Sequence, residues 1–158
     1  MKAEERRALA LRAAVIEFGK SGYHATSTSS IAERMGVSQP YLFRLFKSKM
    51  HLFVAAADWV LAEFRRLLDR AAETRHGAEV LDSLLGDLGR PSAAQRNLLR
   101  FELSLYAVAG DPEFSKVAQE HFEAFCGEAA RVSRAEEKDL NDFLGKISML
   151  IIRAMIDE

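Results

Sequence analysis

The feature that constrains this chain most is the spacing of its apolar residues, which recur at intervals of three and four along the whole sequence. This spacing collects apolar side chains on one face of a helix, whereas a half-buried β-strand needs an alternation with a period of two. No run of β-branched residues alternates in that way. The sequence therefore predicts an all-α fold.

Glycine, proline and capping residues divide this pattern into eight predicted helices. Ser92 with Gln95, and Ser133 with Glu136, each have the spacing of a capping box at a helix start. Pro112 follows Asp111, the order expected of a first helical residue and its cap. The predicted helices span about residues 4–20, 28–35, 39–46, 49–75, 78–88, 93–109, 112–132 and 134–158.

The composition is that of one ordinary globular domain, or of two small domains that share a core: 158 residues, of which 49% are hydrophobic. Cys126 is the single cysteine, which excludes an internal disulfide. No uncharged apolar run reaches the roughly 18 residues of a transmembrane helix, and residues 1–12 lack the apolar core of a signal peptide. We therefore expect a cytoplasmic protein that does not bind membranes.

The charges are distributed unevenly along the chain. Residues 1–52 carry a net charge of +5 and the remaining residues a net charge of -6. A basic segment on an acidic body suits a protein that presents one end to a polyanion, because clustered Lys and Arg neutralise phosphates and release counterions. Chance clustering of charge on a solvated face is the alternative interpretation.

Residues 28–46 have the pattern of two short helices joined by a turn at Gly36 and Val37, packed against the longer first helix. This is the plan of a helix-turn-helix, in which the second short helix enters the major groove of DNA. Steps of about 100° per residue turn Leu42 inward, with Leu45 and Phe46 beside it. The same steps place the following residues outward or at the exposed helix start: Gln39, Pro40, Tyr41, Phe43, Arg44 and Lys47.

A set of short motifs in this region resembles the N-terminal DNA-binding domain of the TetR family of bacterial transcriptional regulators. The resemblance covers about residues 8–53 in order and register, and it is carried by Ala13-Ala14, Phe18, Gly22-Tyr23, Thr26-Ser27, Ile31-Ala32, Gly36-Val37-Ser38, Leu42-Phe43, Phe46, Lys49 and Leu52. It implies a three-helix DNA-binding head at residues 1–50. A long fourth helix would join this head to a helical effector-binding and dimerisation body at residues 51–158.

The resemblance also implies roles for individual residues. Hydroxyl and backbone donors at the start of the second helix would contact phosphates, the outer face of the third helix would read base edges, and two lysines would clamp the DNA backbone. The implied DNA-binding residues are Thr26, Ser27, Thr28, Ser29, Ser38, Gln39, Pro40, Tyr41, Arg44, Lys47 and Lys49. Thr26 and Ser38 have helix capping as an alternative or additional role.

Two positions depart from the family pattern. Phe43 stands where the family usually has Tyr, and Leu45 stands where it usually has His or Tyr. Neither side chain can donate to a phosphate. The departure implies that DNA binding relies more on Lys47 and Lys49.

The last helix is apolar on two faces, which predicts a partner for one of them. In the TetR family the last two helices pair with their symmetry mates, so the resemblance implies a homodimer through Ile147, Leu150, Ile151, Ile152 and Met155. The chain is shorter than most of the family, so we expect the body to lack a helix or to be truncated at its C-terminus.

Between the head and this predicted interface lies a group of aromatic and polar residues of the kind that lines a small-molecule cavity. The candidate effector site comprises Trp59, Phe101, Glu102, Tyr106, His121, Phe122 and Phe125, with plain core packing as the alternative for each aromatic residue. No spacing indicates a metal site, a cofactor or a catalytic constellation.

These features predict a transcriptional regulator, expected to be a repressor, that binds an inverted-repeat operator as a homodimer and is released by a small apolar or amphipathic effector. The alternative is an all-helical small-molecule-binding protein or enzyme without specific DNA recognition.

Overall fold

The computed structural model describes residues 2–156, and within that range all regular secondary structure is helical. The predicted all-α fold is thus confirmed. The residues at the outer limits of the two predicted domains, 1 and 157–158, lie outside the described range. The helices are α1 (Ala3–Ala25), α2 (Thr28–Met35), α3 (Gln39–Leu45), α4 (Lys49–Ala72), α5 (Ala78–Leu88), α6 (Ala93–Ala107), α7 (Pro112–Ser133) and α8 (Glu137–Ile156). Over residues 2–156, no helix combines the length and the apolar character that a bilayer crossing requires.

Local capping explains where most helices begin. A side-chain oxygen accepts a hydrogen bond from a backbone N–H in the first turn of α2, α3, α4, α6 and α7, which satisfies a donor that has no partner within the helix. Ser92 and Gln95 form the predicted reciprocal capping box at the start of α6. The capping residues are Ser27, Ser38, Ser48, Ser92 and Asp111.

Several predicted boundaries differ from the structure by a few residues, and two of these differences have a clear local cause. The first helix does not end at residue 20: helical geometry is interrupted at Gly22, whose φ is 76°, and the helix then resumes to Ala25. A positive φ costs glycine little because it has no side chain. The predicted cap at Ser133 is wrong, because Ser133 is the last residue of α7 and its hydroxyl accepts from the N–H of Ala135, so α8 begins only at Glu137.

The head, α1 to α3, packs on the body chiefly through α1 and α6. Gly19 permits a close approach there, since a Cβ at this position would lie 3.1 Å from the backbone nitrogen of Phe101. Phe101 is fully buried, with its ring centroid 6.5 Å from that of Phe18 and 5.3 Å from that of Phe53. Phe114 of α7 adds a ring centroid 5.9 Å from that of Phe53. The head and the body therefore share one continuous aromatic core.

This shared core generates a stability prediction. Replacing Phe101 by alanine should lower the free energy of unfolding by roughly 3–5 kcal/mol, because it removes a fully buried ring and leaves a cavity. Phe43→Ala is the matched control: the Phe43 side chain is exposed, and its loss should change stability by less than about 0.5 kcal/mol. Urea denaturation at one protein concentration measures both variants. Equal losses would contradict the proposed role of Phe101.

Candidate nucleic-acid interface and apolar cavity

The third helix is held by one buried residue and presents a polar outer face. Leu42 is fully buried, and Phe46 at the helix end is also buried. Gln39, Pro40 and Arg44 are exposed on the opposite side. The amphipathic arrangement predicted from the spacing is therefore the one that the structure has.

Thr26 has a different role from the predicted phosphate contact. Its side chain is buried, and its hydroxyl donates to the backbone oxygen of Gly22 at 2.6 Å and to that of Glu17 at 3.0 Å. Its backbone N–H also donates to the oxygen of Gly22. These bonds close the end of α1 after the interruption at Gly22. Thr26 consequently fastens the helix end and has no donor left for DNA.

The other predicted residues of α2 lie at or near its exposed N-terminal end. Ser27 and Ser29 are exposed, and the Ser27 hydroxyl accepts from the N–H of Ser30. Thr28 is linked to α3, because the Gln39 side-chain amide donates to the Thr28 hydroxyl at 2.6 Å. This bond fixes the position of an otherwise mobile amide above the start of α3.

Two arginines of α1 support α3, and sequence reasoning did not single them out. Arg6 Nη1 donates to the Tyr41 hydroxyl at 2.8 Å, and its guanidinium lies 5.7 Å from the centroid of that ring. Arg7 Nη1 donates to the backbone oxygen of Leu45 at 3.1 Å and lies over the ring of Phe46. The Arg7 contact places positive charge at the C-terminal end of α3, which suits a helix C-terminus, whereas Arg6 holds Tyr41 in the first turn of the helix.

The two predicted lysine clamps differ in their surroundings. Lys47 is exposed just after α3. Lys49 is half-buried, with its ammonium 4.5 Å from the ring centroid of Tyr23, and burial lowers the pKa of Lys49 below its ordinary value. A cation–π contact of this kind keeps the Lys49 side chain against the protein. Lys47 is the better placed of the two to reach a phosphate.

An apolar cavity of about 460 Å³ lies in the body between α4, α6, α7 and α8. It falls in the size range of small-molecule sites. Four of the predicted residues line it: Glu102, Tyr106, Phe122 and Phe125. The lining residues that were not in the predicted site are Phe64, Leu103, Ala109, Ser115, Ala118, Gln119, Leu144, Ile147, Ser148, Ile151 and Ile152.

Three predicted cavity residues lie elsewhere. Phe101 belongs to the aromatic core between head and body, and Trp59 packs half-buried against the core outside the cavity. His121 is buried behind the lining, where its Nε2 lies 2.6 Å from Glu102 Oε1. Because α7 carries both Phe122 and His121, the two neighbouring side chains point in different directions, as they must one residue apart on a helix.

Glu102, His121 and Tyr106 form the polar end of the cavity. The side chains of Glu102 and His121 are each 3% exposed, so the pair is almost completely removed from water. Burial raises the pKa of Tyr106 far above its ordinary value, and the charge of Glu102 and a hydrogen bond with its carboxylate raise it further. Tyr106 is accordingly a neutral hydroxyl at physiological pH. Within residues 2–156, no group of three or more His, Cys, Asp or Glu side chains could hold a metal ion.

The predicted interface residues of α8 divide between two environments. Ile147 is buried in the chain's own core and lines the cavity, which corrects its assignment to a dimer interface. Leu150 and Ile151 are half-buried against the same core. Ile152 and Met155 are exposed. With two further exposed side chains of α8 and one of α7, they form what we call the α7–α8 apolar face: Phe122, Met149, Ile152, Met155 and Ile156.

The sequence comparisons place the helix-turn-helix region in a known family. The family model described as "Bacterial regulatory proteins, tetR family" matches residues 10–56. The HTH-type transcriptional activator FasR of Mycolicibacterium smegmatis is 46% identical over 76 residues, which are 46% of this chain and 35% of that protein. The HTH-type transcriptional repressor KstR of the same species is 38% identical over 102 residues, 62% of this chain and 48% of that protein. The matches thus span less than half the length of these relatives.

Solved structures extend the likeness of fold to the body. A crystal structure of a protein from Rhodococcus sp. assigned to the TetR family superposes with a TM-score of 0.80 and 18% identity, covering 98% of this chain and 89% of that one. A TetR-like transcriptional regulator from Rhodococcus sp. RHA1 superposes with a TM-score of 0.64 and 21% identity, covering 95% and 82%. The helix-turn-helix region, residues 10–56, therefore belongs to the tetR family of bacterial regulatory proteins, and the chain shares the all-α fold of these solved structures.

Proposed function

We propose that this chain is a transcriptional regulator that binds an inverted-repeat DNA operator as a homodimer and responds to a small molecule in the cavity of its body. The observation that carries the proposal is the outer face of α3, where exposed Gln39, Pro40 and Arg44 stand on a basic head. The named relatives, an activator and a repressor, are both regulators of transcription. We propose repression for this chain, since the match to the repressor covers more of it.

The side chains on the outer face of α3 suit the base edges of the major groove. Arg44 can donate two hydrogen bonds to guanine, and Gln39 can form a bidentate pair with adenine. Pro40 and Phe43 supply apolar contact for a thymine methyl group. Gln39 must exchange its exposed hydrogen bond with Thr28 for one with a base, an exchange of similar bonds with little net cost.

Contacts with phosphates would come from the edges of the head. Lys47 follows α3, and Ser27 and Thr28 stand at the N-terminal end of α2, where the helix dipole favours an anion. Arg6 and Arg7 hold α3 in place and add positive charge beside it. The acidic body leaves this head as the part of the chain that a polyanion would approach.

The α7–α8 apolar face suits a second copy of the chain. Its exposed side chains are large and apolar, and they follow helical spacing along α8. The chain has 28% charged residues that could cover its surface, yet this patch is apolar. Exposed apolar patches of this type mark contact surfaces. Pairing of α7 and α8 with their symmetry mates would bury the patch and place two copies of α3 on one side of the dimer.

A ligand in the cavity has a direct route to the head. Phe64 lines the cavity on α4, and the same helix carries Phe53 in the aromatic core that holds α1. A ligand that moves Phe64 would therefore shift α4 and, with it, the separation of the two reading helices. Such coupling between sites typically amounts to about 1–3 kcal/mol.

The DNA-reading proposal predicts two classes of mutant. Arg44→Ala and Gln39→Ala should each reduce the preference for operator over random DNA by about 1–3 kcal/mol. Lys47→Ala should weaken both DNAs alike and reduce the salt dependence of binding by about one phosphate contact. Arg66→Ala, an exposed arginine of the body, is the control and should change neither. Fluorescence anisotropy over a range of salt concentrations measures all four variants.

Equal losses on operator and random DNA for the α3 variants would contradict the base-reading roles. Failure of the unmodified protein to prefer any sequence selected from genomic fragments would contradict the function itself and favour the alternative of a small-molecule-binding protein.

The dimer proposal makes a separate prediction. Ile152→Glu should convert the protein to a monomer at micromolar concentration, because it places a charge in the centre of the α7–α8 apolar face. Leu9→Glu, at an exposed apolar residue of α1, should leave the dimer intact. Sedimentation velocity distinguishes the two states. Sedimentation of the unmodified chain as a monomer would refute the proposed interface.

A further inference from the structure

The cavity of the body is apolar except at one end, where a single charged side chain faces it. Among the lining residues within the described part of the chain, Glu102 is the only charged one. Arginine and lysine are missing from the same lining set. An anionic group placed beside Glu102 would therefore meet a carboxylate in a region of low dielectric, and the described lining offers it no arginine or lysine, since His121 lies behind Glu102 and outside the lining.

The other polar lining groups are committed to bonds within their own helices. The Ser148 hydroxyl donates to the backbone oxygen of Leu144, and the Ser115 hydroxyl donates to that of Pro112. The Gln119 amide donates to the carboxylate of Glu123. The oxygen atoms of these groups can still accept a hydrogen bond, but none of them carries a charge, so Glu102 is the lining group that distinguishes a cationic ligand from a neutral one.

The position of Glu102 is fixed from behind the cavity wall. His121 lies 2.6 Å from Glu102 Oε1 and is itself buried outside the lining. A carboxylate has about four acceptor sites on two oxygens, and this contact leaves acceptor capacity unused. Glu102 is thus a preorganised acceptor that faces an apolar space.

We propose that the cavity binds a lipophilic amine in its protonated form, with the ammonium group donating to Glu102 and the hydrocarbon part packed among Phe64, Phe122 and Phe125. An ammonium group supplies hydrogen-bond donors for the acceptor positions of Glu102 that His121 leaves open, and its charge is attracted to a carboxylate in a region of low dielectric. An alcohol of the same shape supplies a donor without the charge and binds more weakly. A carboxylate supplies neither and binds weakest. The proposal rests on the proposed function only in taking the cavity as the effector site.

Three straight-chain probes of equal length test this order: decylamine, decanol and decanoate, titrated calorimetrically at pH 7 into the unmodified protein without DNA. We expect decylamine to bind at least about tenfold more tightly than decanoate, with decanol between them. In Glu102→Gln, decylamine should lose roughly tenfold or more, while decanol should change little because the amide oxygen still accepts a hydrogen bond.

Glu120→Gln is the matched control for charge. Glu120 is an exposed carboxylate on the same helix as Phe122 and lies outside the cavity lining. This variant lowers the negative charge of the body by the same amount as Glu102→Gln, so it reports any loose association of amine with the acidic body. Amine affinity should be unchanged in Glu120→Gln.

A second variant tests the location independently of Glu102. Ser148 is an exposed residue that lines the cavity, so Ser148→Phe should occupy the opening and weaken amine binding without lowering the free energy of unfolding. The proposal is overturned if decanoate binds as tightly as decylamine, if no probe binds, or if neither cavity variant weakens the amine.

The failure of this proposal and that of the proposed function are distinguishable in the same preparation. A protein that reads its operator but prefers decanoate contradicts only the ligand class. A protein that prefers decylamine but has no operator preference contradicts only the regulatory function.

Discussion

The contact between α1 and α6 is the interaction on which the rest of this structure depends. Gly19 lets the two helices approach so closely that an added Cβ would press on the backbone of Phe101. Phe18, Phe101 and Phe53 of α4 then pack against one another in a single aromatic cluster. Side chains in a closely packed protein interior have little free space to move into, so a displacement of one helix is passed on to the helices packed against it. The reading head is consequently one mechanical unit with the body.

A second set of aromatic contacts continues from this core along α4. Phe64 lies 5.4 Å from Phe125, and Phe125 lies 6.1 Å from Phe143 of α8, with distances taken between ring centroids. Phe64 and Phe125 both line the cavity. One helix therefore has its N-terminal half in the core of the head and its C-terminal half in the wall of the cavity. In the proposed function, this arrangement would couple ligand binding in the cavity to the position of the head without a flexible linker.

Local features of this fold could be predicted from the sequence, because they depend on neighbours a few residues away. Ser38 and Ser92 cap helices as the sequence indicates, and Leu42 faces inward as its helical position requires. Contacts between distant segments could not be predicted in this way. Arg6 supports Tyr41 from 35 positions away, a partnership that no spacing rule encodes.

The errors at Thr26 and Ile147 have the same physical origin. Thr26 has the residue type and position of a phosphate contact, but the interruption of α1 at Gly22 brings two backbone oxygens to its hydroxyl. Ile147 lies on an apolar face of α8, and the same chain buries only part of that face. Ile147 is buried and Ile152 is exposed because of how other helices pack on α8, which helical periodicity cannot predict.

The central claim is that a rigid protomer, used in a symmetric pair, reads two half-sites at a fixed separation on one face of DNA. Quantitative footprinting of the selected operator, with and without five base pairs inserted between the half-sites, tests it most directly. The insertion rotates one half-site by about half a helical turn and leaves each half-site sequence intact. The account predicts an affinity loss of several kcal/mol from the specific part of binding. Unchanged affinity, with both half-sites still protected, would contradict it.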